Sequence, residues 1–466
     1  MTENITTDTS EPETQASQEE QPKPRNPFQR NLDVFISRVD SLHDHGTQAV
    51  VVITQSHKHV QAEFDAFLAA EASPVDGEED AVTIPEDKLT RFRRLQRKRT
   101  RSGNAVRSVP RALAVALVSE FDAFMGATLK SFYRLKPDAL QAAQRTITFA
   151  ELVKFGSIDA ARDHFLEKEV ESFLRSSHSE QFETLESKIG TPLRKELPVW
   201  KDFVELTERR NLFVHNDGVV NSQYLNICGS AGVDCRDVGK GTTLDVSQKY
   251  FTKAHDTLYE IAAKLSHVLW RKLLPEDRER ADAHFAGTLV YDLLQEERFR
   301  LARTLADFGV TTFKQWGSDY YRRALIINRA QAYIWGGERA GGIKILADED
   351  WSASSDDFRL CVAALRREFP ESIRRMRALG LTAGPKKDGF REWPVFKELR
   401  KDKDFQAAFG EIFGEPFARV TVSSQGEPEA GDRQRDAAAP AVAQEGGDVG
   451  SSGDGNCDGL TSASSE

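Results

Sequence analysis

The chain has 466 residues, long enough for two or three domains. Its hydrophobic content of 39% is low for a fully globular chain, and its net charge of -10 sits at the ends: residues 1–27 hold six acids against two bases and residues 421–466 hold nine against two, so the tails carry -11 and the remainder is near +1. The acidic balance therefore does not exclude an RNA-binding core, whereas cysteines scattered at 228, 235, 361 and 457 exclude a disulfide framework and a zinc spacing.

No apolar run predicts a membrane span, and the polar, acidic N-terminus does not read as a signal peptide, so a reducing cytoplasm is the expected compartment. Residues 1–27, rich in Thr, Glu, Gln and Pro, predict a disordered acidic tail. Residues 28–104 read as an N-terminal helical segment. Leu32, Phe35, Ile36 and Val39 share one face of a helix over 31–70, and Phe64, Phe67 and Leu68 lie near its end. His43, His45, His57 and His59 form two His-x-His pairs, but residues two apart diverge on a helix and no carboxylate or cysteine cluster completes a site, so no metal is expected. Residues 74–87 predict an acidic loop. The run from Lys88 to Arg101 reverses the charge with Arg91, Arg93, Arg94, Arg97 and Lys98 among its bases. It fits contact with a phosphate backbone, and equally a solvated helix paired with the acidic loop.

A strong amphipathic helix is predicted over 109–133, opening at Pro110 and continuing through Leu113, Leu117, Phe121, Phe124, Leu129 and Phe132, with Glu120 and Asp122 in its length. Helices follow over 148–187, with a turn at Gly190 and Pro192. The stretch from Glu205 to Gly218 reads as the last turns of another helix, with Pro198 in its first turn and Gly218 as a left-handed cap. Val199, Phe203, Leu206 and Phe213 mark its apolar stripe, and Arg210 intrudes on that stripe. Asn211 and His215, four apart, stack on a second face. Arg210 and His215 are separated by roughly 140° around the helix, so one helix does not aim both at one point. Residues 227–241 predict a loop and 244–274 a further helix.

Arg210-Asn211-x-x-x-His215, followed by Asn216-Asp217-Gly218-Val219-Val220-Asn221 and Tyr224-Leu225, resembles the ribonuclease-type motif of the HEPN superfamily (higher eukaryotes and prokaryotes nucleotide-binding). The resemblance implies an all-α fold with a HEPN-like unit over about 105–275, whose first helix would be 109–133. It implies Arg210 and His215 as catalytic, Asn211 as orienting, and cleavage without metal or cofactor to a 2′,3′-cyclic phosphate and a 5′-hydroxyl. It also implies a homodimer lining one cleft with two motifs, and a regulated toxin or defence effector as the setting. Cleaving RNA without a metal needs a base, a cation at the phosphorane and an acid. Histidine titrates near neutrality and arginine forks to two phosphate oxygens, so the cast suits the task. An Arg210 embedded in an apolar stripe needs a partner, for which Glu120 and Asp122 are the candidates.

Residues 286–417 have a different texture. Ala332-Tyr333, Gly337-Glu338 and Gly342-Ile343, then Ala363-Ala364-Leu365, Glu368-Phe369 and Ser372-Ile373, resemble the small-residue grammar of tetratricopeptide helix pairs. That resemblance implies a TPR-like region open to a protein partner. Trp393-Pro394-Val395-Phe396 with Phe405, Phe409 and Phe413 would form a terminal helix pair. Residues 421–466, low-complexity Gly, Ser, Ala and acid, predict a second disordered tail. The alternative to a nuclease is a non-catalytic helical scaffold, with Arg210 paired to a core acid and His215 and Asn216 ending a helix.

Overall fold

A computed structural model describes residues 26–75, 78–141, 148–381 and 384–417; both predicted tails, with Cys457, lie outside the described residues except for Asn26 and Pro27. The protein is all-α, and its one sheet among the described residues is the two-stranded antiparallel ribbon β1 (Ser73–Val75) and β2 (Glu78–Thr83). This ribbon stands where a loop is expected from the acidic run. The chain divides into two units, the first ending at Leu273 and the second beginning at Leu274.

Unit 1 is built on two long helices, α1 (Pro27–Glu71) and α2 (Leu89–Leu135). Asn26 caps α1 by accepting the Phe28 N–H at 2.8 Å. Phe28, Leu32, Phe35 and Val39 are buried against α2, where Leu117, Phe121 and Phe124 answer them. The expected boundary at 104/105 falls inside α2, so residues 28–104 and 105–275 are not separate bodies. Pro110 does not open a helix either. It lies within α2, where burial on both sides of it outweighs the backbone hydrogen bond it cannot donate. By length and composition alone α2 is apolar enough to cross a membrane, contrary to the expectation from sequence. Half of that window is buried inside the protein, as befits the helix that packs on α1, α5, α7 and α9.

The far ends of α1 and α2 form an arm with a small core of its own, Phe64, Phe67 and Leu95. Short α3 (Asp138–Gln141) and α4 (Phe149–Lys154) lead to α5 (Ile158–Arg175) and α6 (His178–Ile189). They are followed by the motif helix α7 (Trp200–His215), α8 (Ser222–Ser230) and α9 (Gln248–Leu273). The first part of the expected 227–241 loop is the end of α8, which Asn221 caps through the Tyr224 N–H. Pro198 precedes α7 by two residues rather than occupying its first turn.

Unit 2 is a chain of shorter helices. In α10 (Arg278–Asp282), a π-helical segment (Ala283–Leu289) and α11 (Val290–Gln295), the ladder loosens at the centre, and buried Asn328 donates to the Ala286 carbonyl there at 2.9 Å. Then come α12 (Phe299–Thr312), α13 (Asp319–Trp335), α14 (Arg339–Ala347), α15 (Asp356–Arg366), α16 (Phe369–Leu379), α17 (Lys387–Glu392) and α18 (Lys403–Phe413). Helices pack as neighbours α12 on α13, α13 on α14 and α15 on α16. Gly342 permits one of these approaches, since a Cβ there would sit 2.6 Å from the Ala330 carbonyl oxygen. The expected terminal helix pair is one helix, α18, preceded by two 3-10 turns over 394–396 and 399–401, with Phe396, Phe405 and Phe409 wholly buried.

One polar clamp fixes the end of the motif helix. Arg111 of α2 is buried. It donates to Asp245 Oδ1 at 2.7 and 3.1 Å, to the Asp217 carboxylate and carbonyl at 3.1 Å each, and to the Leu244 carbonyl at 2.9 Å. Gly218 (φ +77°) lies beneath, where a side chain would strike the Leu244 carbonyl oxygen at 2.9 Å. Arg111→Met is expected to lower the unfolding free energy by about 2 kcal/mol, because it strips charge-assisted bonds from two carbonyls while the exposed carboxylates rehydrate. A denaturant titration showing no change in midpoint would refute the clamp.

Candidate functional site

Helix α7 carries Glu205, Glu208, Arg209, Arg210, Asn211 and His215, and its period sends them three ways. Glu205 faces α8 and α9. Its carboxylate accepts Arg209 Nε at 2.7 Å, the Tyr224 hydroxyl at 2.8 Å and the Tyr250 hydroxyl at 2.9 Å, and the Arg209 guanidinium lies 4.0 Å over the Tyr250 ring. Every charge in this cluster is answered, so it reads as structure.

Arg210 turns toward α2 and α6. Its Nη2 donates to Asp122 Oδ2 at 3.2 Å and its Nη1 to Asn211 Oδ1 at 3.2 Å, while Nε is buried with no hydrogen-bond partner among the described residues. The other oxygen of Asp122 meets His178 Nε2 at 2.8 Å. His178 opens α6 behind the Ser177–Glu180 capping box and rests edge-on against Phe203 at 5.5 Å. One carboxylate thus bridges an arginine and a histidine from two further helices. Glu120 does not take part. It points to the other side of α2 and pairs with Arg38 of α1 at 3.1 Å.

Glu208, Asn211 and His215 form the third face. With Asn216, Leu212 and, from α8 and its approach, Asn221, Gln223 and Tyr224, they line a cleft of about 310 Å³. The i, i+4 stacking of Asn211 and His215 therefore places both on one wall. His215 is exposed, and Arg210 does not line the cleft. Asn211 Nδ2 makes a long bond, 3.4 Å, to Glu208 Oε1. Burial pushes the Glu208 carboxyl above the usual range, against the attraction of nearby His178.

Arg91, Arg93, Arg94, Arg97 and Lys98 are exposed on the arm. At about 1.5 Å rise per residue Arg97 lies roughly 21 Å along α2 from Arg111, whose guanidinium reaches Asp217 just past His215, and none of the basic stretch lines the cleft. Lys98 pairs with Glu63 at 2.7 Å and Lys88 with Glu71 at 3.7 Å, both on α1, and Arg91 stacks on Phe67. Arg93, Arg94 and Arg97 form no ion pair among the described residues. The four histidines of α1 separate. His43 stacks near Phe251 and His255 of α9, His57 meets Ser102 at 2.8 Å, and His45 and His59 are exposed. Among the described residues no group of three or more His, Cys, Asp or Glu is placed to hold a metal.

Sequence reasoning missed His178, Arg111 and Glu208. The Ser-His-Ser-Glu run at 177–180 marks a helix start, and the i, i+3, i+7 spacing of Glu208, Asn211 and His215 marks one face, so two signals were available. Nothing local tied His178 to α2. No protein-family model matches this chain, and no curated protein or solved structure is significantly similar to it.

The phenols around Glu205 carry a pH prediction. Burial, then the Glu205 charge, raises both Tyr224 and Tyr250 well above the ordinary tyrosine value. Their contribution to stability is thus complete below the unfolded value near pH 10 and is lost as pH rises toward the folded one. Ultraviolet titrations of wild type and Tyr250→Phe are expected to superimpose to about pH 11. Loss of a phenol titrating near 10 in the variant would contradict this packing.

Proposed function

We propose that the protein is a metal-independent endoribonuclease of HEPN type, cleaving RNA by attack of the ribose 2′-hydroxyl on the adjacent phosphorus. The observation that carries the reading is the cleft at the end of α7, where Asn211 and His215 share a wall, with Arg210 anchored behind them by Asp122. His215 is free to reach a phosphate or a leaving 5′-oxygen. Two copies brought together at this end would supply two histidines and two arginines, so a homodimer completes the cast that one helix divides. In that arrangement Arg93, Arg94 and Arg97 on the arm are free to hold the phosphate backbone beyond the cleft. The helical region of unit 2 would bind a protein partner or hold the nuclease in check, as in a regulated toxin or defence effector acting in the cytoplasm.

The second reading, a non-catalytic scaffold, draws on the inward ties of Arg210. Both its terminal nitrogens are engaged within the chain, as a structural arginine's would be. The two readings part on one experiment. End-labelled RNA is incubated with the full chain in excess chelator, beside folded Arg210→Ala and His215→Ala variants. The nuclease reading expects cleavage by wild type alone, leaving cyclic phosphate ends, with each variant slower by about 10²–10⁴-fold. Equal cleavage by all three proteins means contamination or a different site and rejects this one, and no cleavage by wild type favours the scaffold.

A further inference from the structure

We infer that Glu208 is the general base of this cleft, taking the 2′-hydroxyl proton while His215 protonates the leaving oxygen. The inference rests on the nuclease reading and adds a residue and a direction of proton flow to it.

The geometry comes first. Glu208 and His215 stand on the same face of α7, two turns apart, and both line the cleft. The rise between them is roughly 10 Å, which leaves room for a phosphodiester with one group on each side. Asn211 lies between, its amide nitrogen toward Glu208 at 3.4 Å. The groups facing Glu208 are His178 from α6, Asn211 and His215 from its own helix, Tyr224, Asn221 and Gln223 across the cleft, and the buried Cys228 thiol of α8. Tyr224 is occupied, donating to Glu205. Among the described residues Glu208 forms no ion pair, unlike Glu205 and Asp122, its charged neighbours in the fold.

A half-buried carboxylate with no cation bonded to it is costly as structure and useful as a proton acceptor. Burial raises Glu208 toward the range where a base both accepts a proton readily and is ionised at working pH. The step balances. The 2′-oxygen forms its bond to phosphorus as its proton passes to the Glu208 carboxylate. The bond from phosphorus to the 5′-oxygen breaks as His215, entering as imidazolium, gives that oxygen its proton. The products are the 2′,3′-cyclic phosphate and the 5′-hydroxyl, with Glu208 protonated and His215 neutral. Asn211 is a positioning residue here, holding the carboxylate by its amide.

The test is the pH–rate profile of RNA cleavage in chelator for wild type, Glu208→Gln and Glu208→Asp, with thermal melts across the same pH range. Wild type is expected to show a bell. Glu208→Gln should lose about 10²–10⁴-fold in rate and the limb that rises with pH, and Glu208→Asp should recover part of the rate with that limb restored. A carboxyl raised by burial contributes stability below its unfolded value and loses it as pH rises through its folded value, so Glu208→Gln should gain in melting temperature on wild type as pH rises. If wild type cleaves and Glu208→Gln cleaves with an unchanged profile, the base assignment falls and the nuclease reading stands. If wild type does not cleave at any pH, both fall. A Glu208→Gln chain that cannot fold marks the carboxylate as structural and also overturns the assignment.

Discussion

Placing cations inside a helical bundle forces the bundle to supply acceptors for them, and in unit 1 two of the contacts that do so tie the motif helix or its exit to one helix, α2. Arg111 and Asp122 of α2 lie about three turns apart, within some 20° of each other around the axis. Each grips the second half of the motif helix or the turn that leaves it: Arg111 through Asp217, Leu244 and Asp245, Asp122 through Arg210. Between them Leu117, Val118 and Phe121 are fully buried. The apolar seam brings α2 and α7 together, while the two polar contacts fix register, since a shift of one residue would leave a buried cation unanswered. The turn after α7 is held from below as well, where Val220 and Gly218 exchange backbone hydrogen bonds with Gly241, Thr242 and Leu244.

Apart from Thr207, whose hydroxyl turns back to the Val204 carbonyl, six polar or charged residues within eleven positions of one helix would be a poor core if they faced one way. The helical period separates them. Glu205 and Arg209, four apart, close a pair at 2.7 Å and take two tyrosines with them. Arg210 goes to the opposite seam. Glu208, Asn211 and His215 are left for the cleft. The charges that hold the helix in place are thus distinct from the groups left open to a ligand. The separation has a consequence for chemistry: the arginine and the histidine of the Arg-Asn-x-x-x-His motif do not meet in one chain, and a site that uses both must draw on a second copy or on a rearranged Arg210.

Much of this was legible in the sequence because burial leaves a period. Leu117, Phe121, Phe124, Leu129 and Phe132 announced α2, and Asn211 with His215 announced a shared face. Asp122 was one of two named partners for Arg210, and the spacing from Glu120 could not choose between them. Residues two apart on a helix point to different neighbours, and only the placement of α1 beside one and α7 beside the other decides. Pro110 misled because a proline opening a helix and a proline carried through one look alike locally. What differs is that Leu95 and the two phenylalanines of α1 give the N-terminal half of α2 its own packing. His178 was invisible for a related reason. Its helix start is written in Ser177 and Glu180, but its contact with Asp122 is made across 56 positions. The basic run was plain, and its distance from the motif was not, because it depends on where along the 47 residues of α2 the motif helix docks.

The carboxylate of Glu208, which forms no ion pair among the described residues, bears on the choice between nuclease and scaffold more than the motif does. A scaffold gains nothing from half-burying an acid without a cation. Replacing it by a neutral amide or an apolar residue of similar size would remove a desolvation cost and leave the helix intact. An arginine tied to an aspartate is compatible with either reading, and so is an exposed histidine at a helix end. Beside a bound polyanion an ionised Glu208 would also be repulsive, a second cost that a simple phosphate-binding surface has no reason to carry. Both costs find a use only if the carboxylate accepts a proton while the phosphate is present, since protonation removes its charge at the step where charge builds on the phosphorane. On the proposed nuclease reading the cleft would set a desolvated acid beside a bound anion, two features that structure alone disfavours and that acid–base chemistry reconciles.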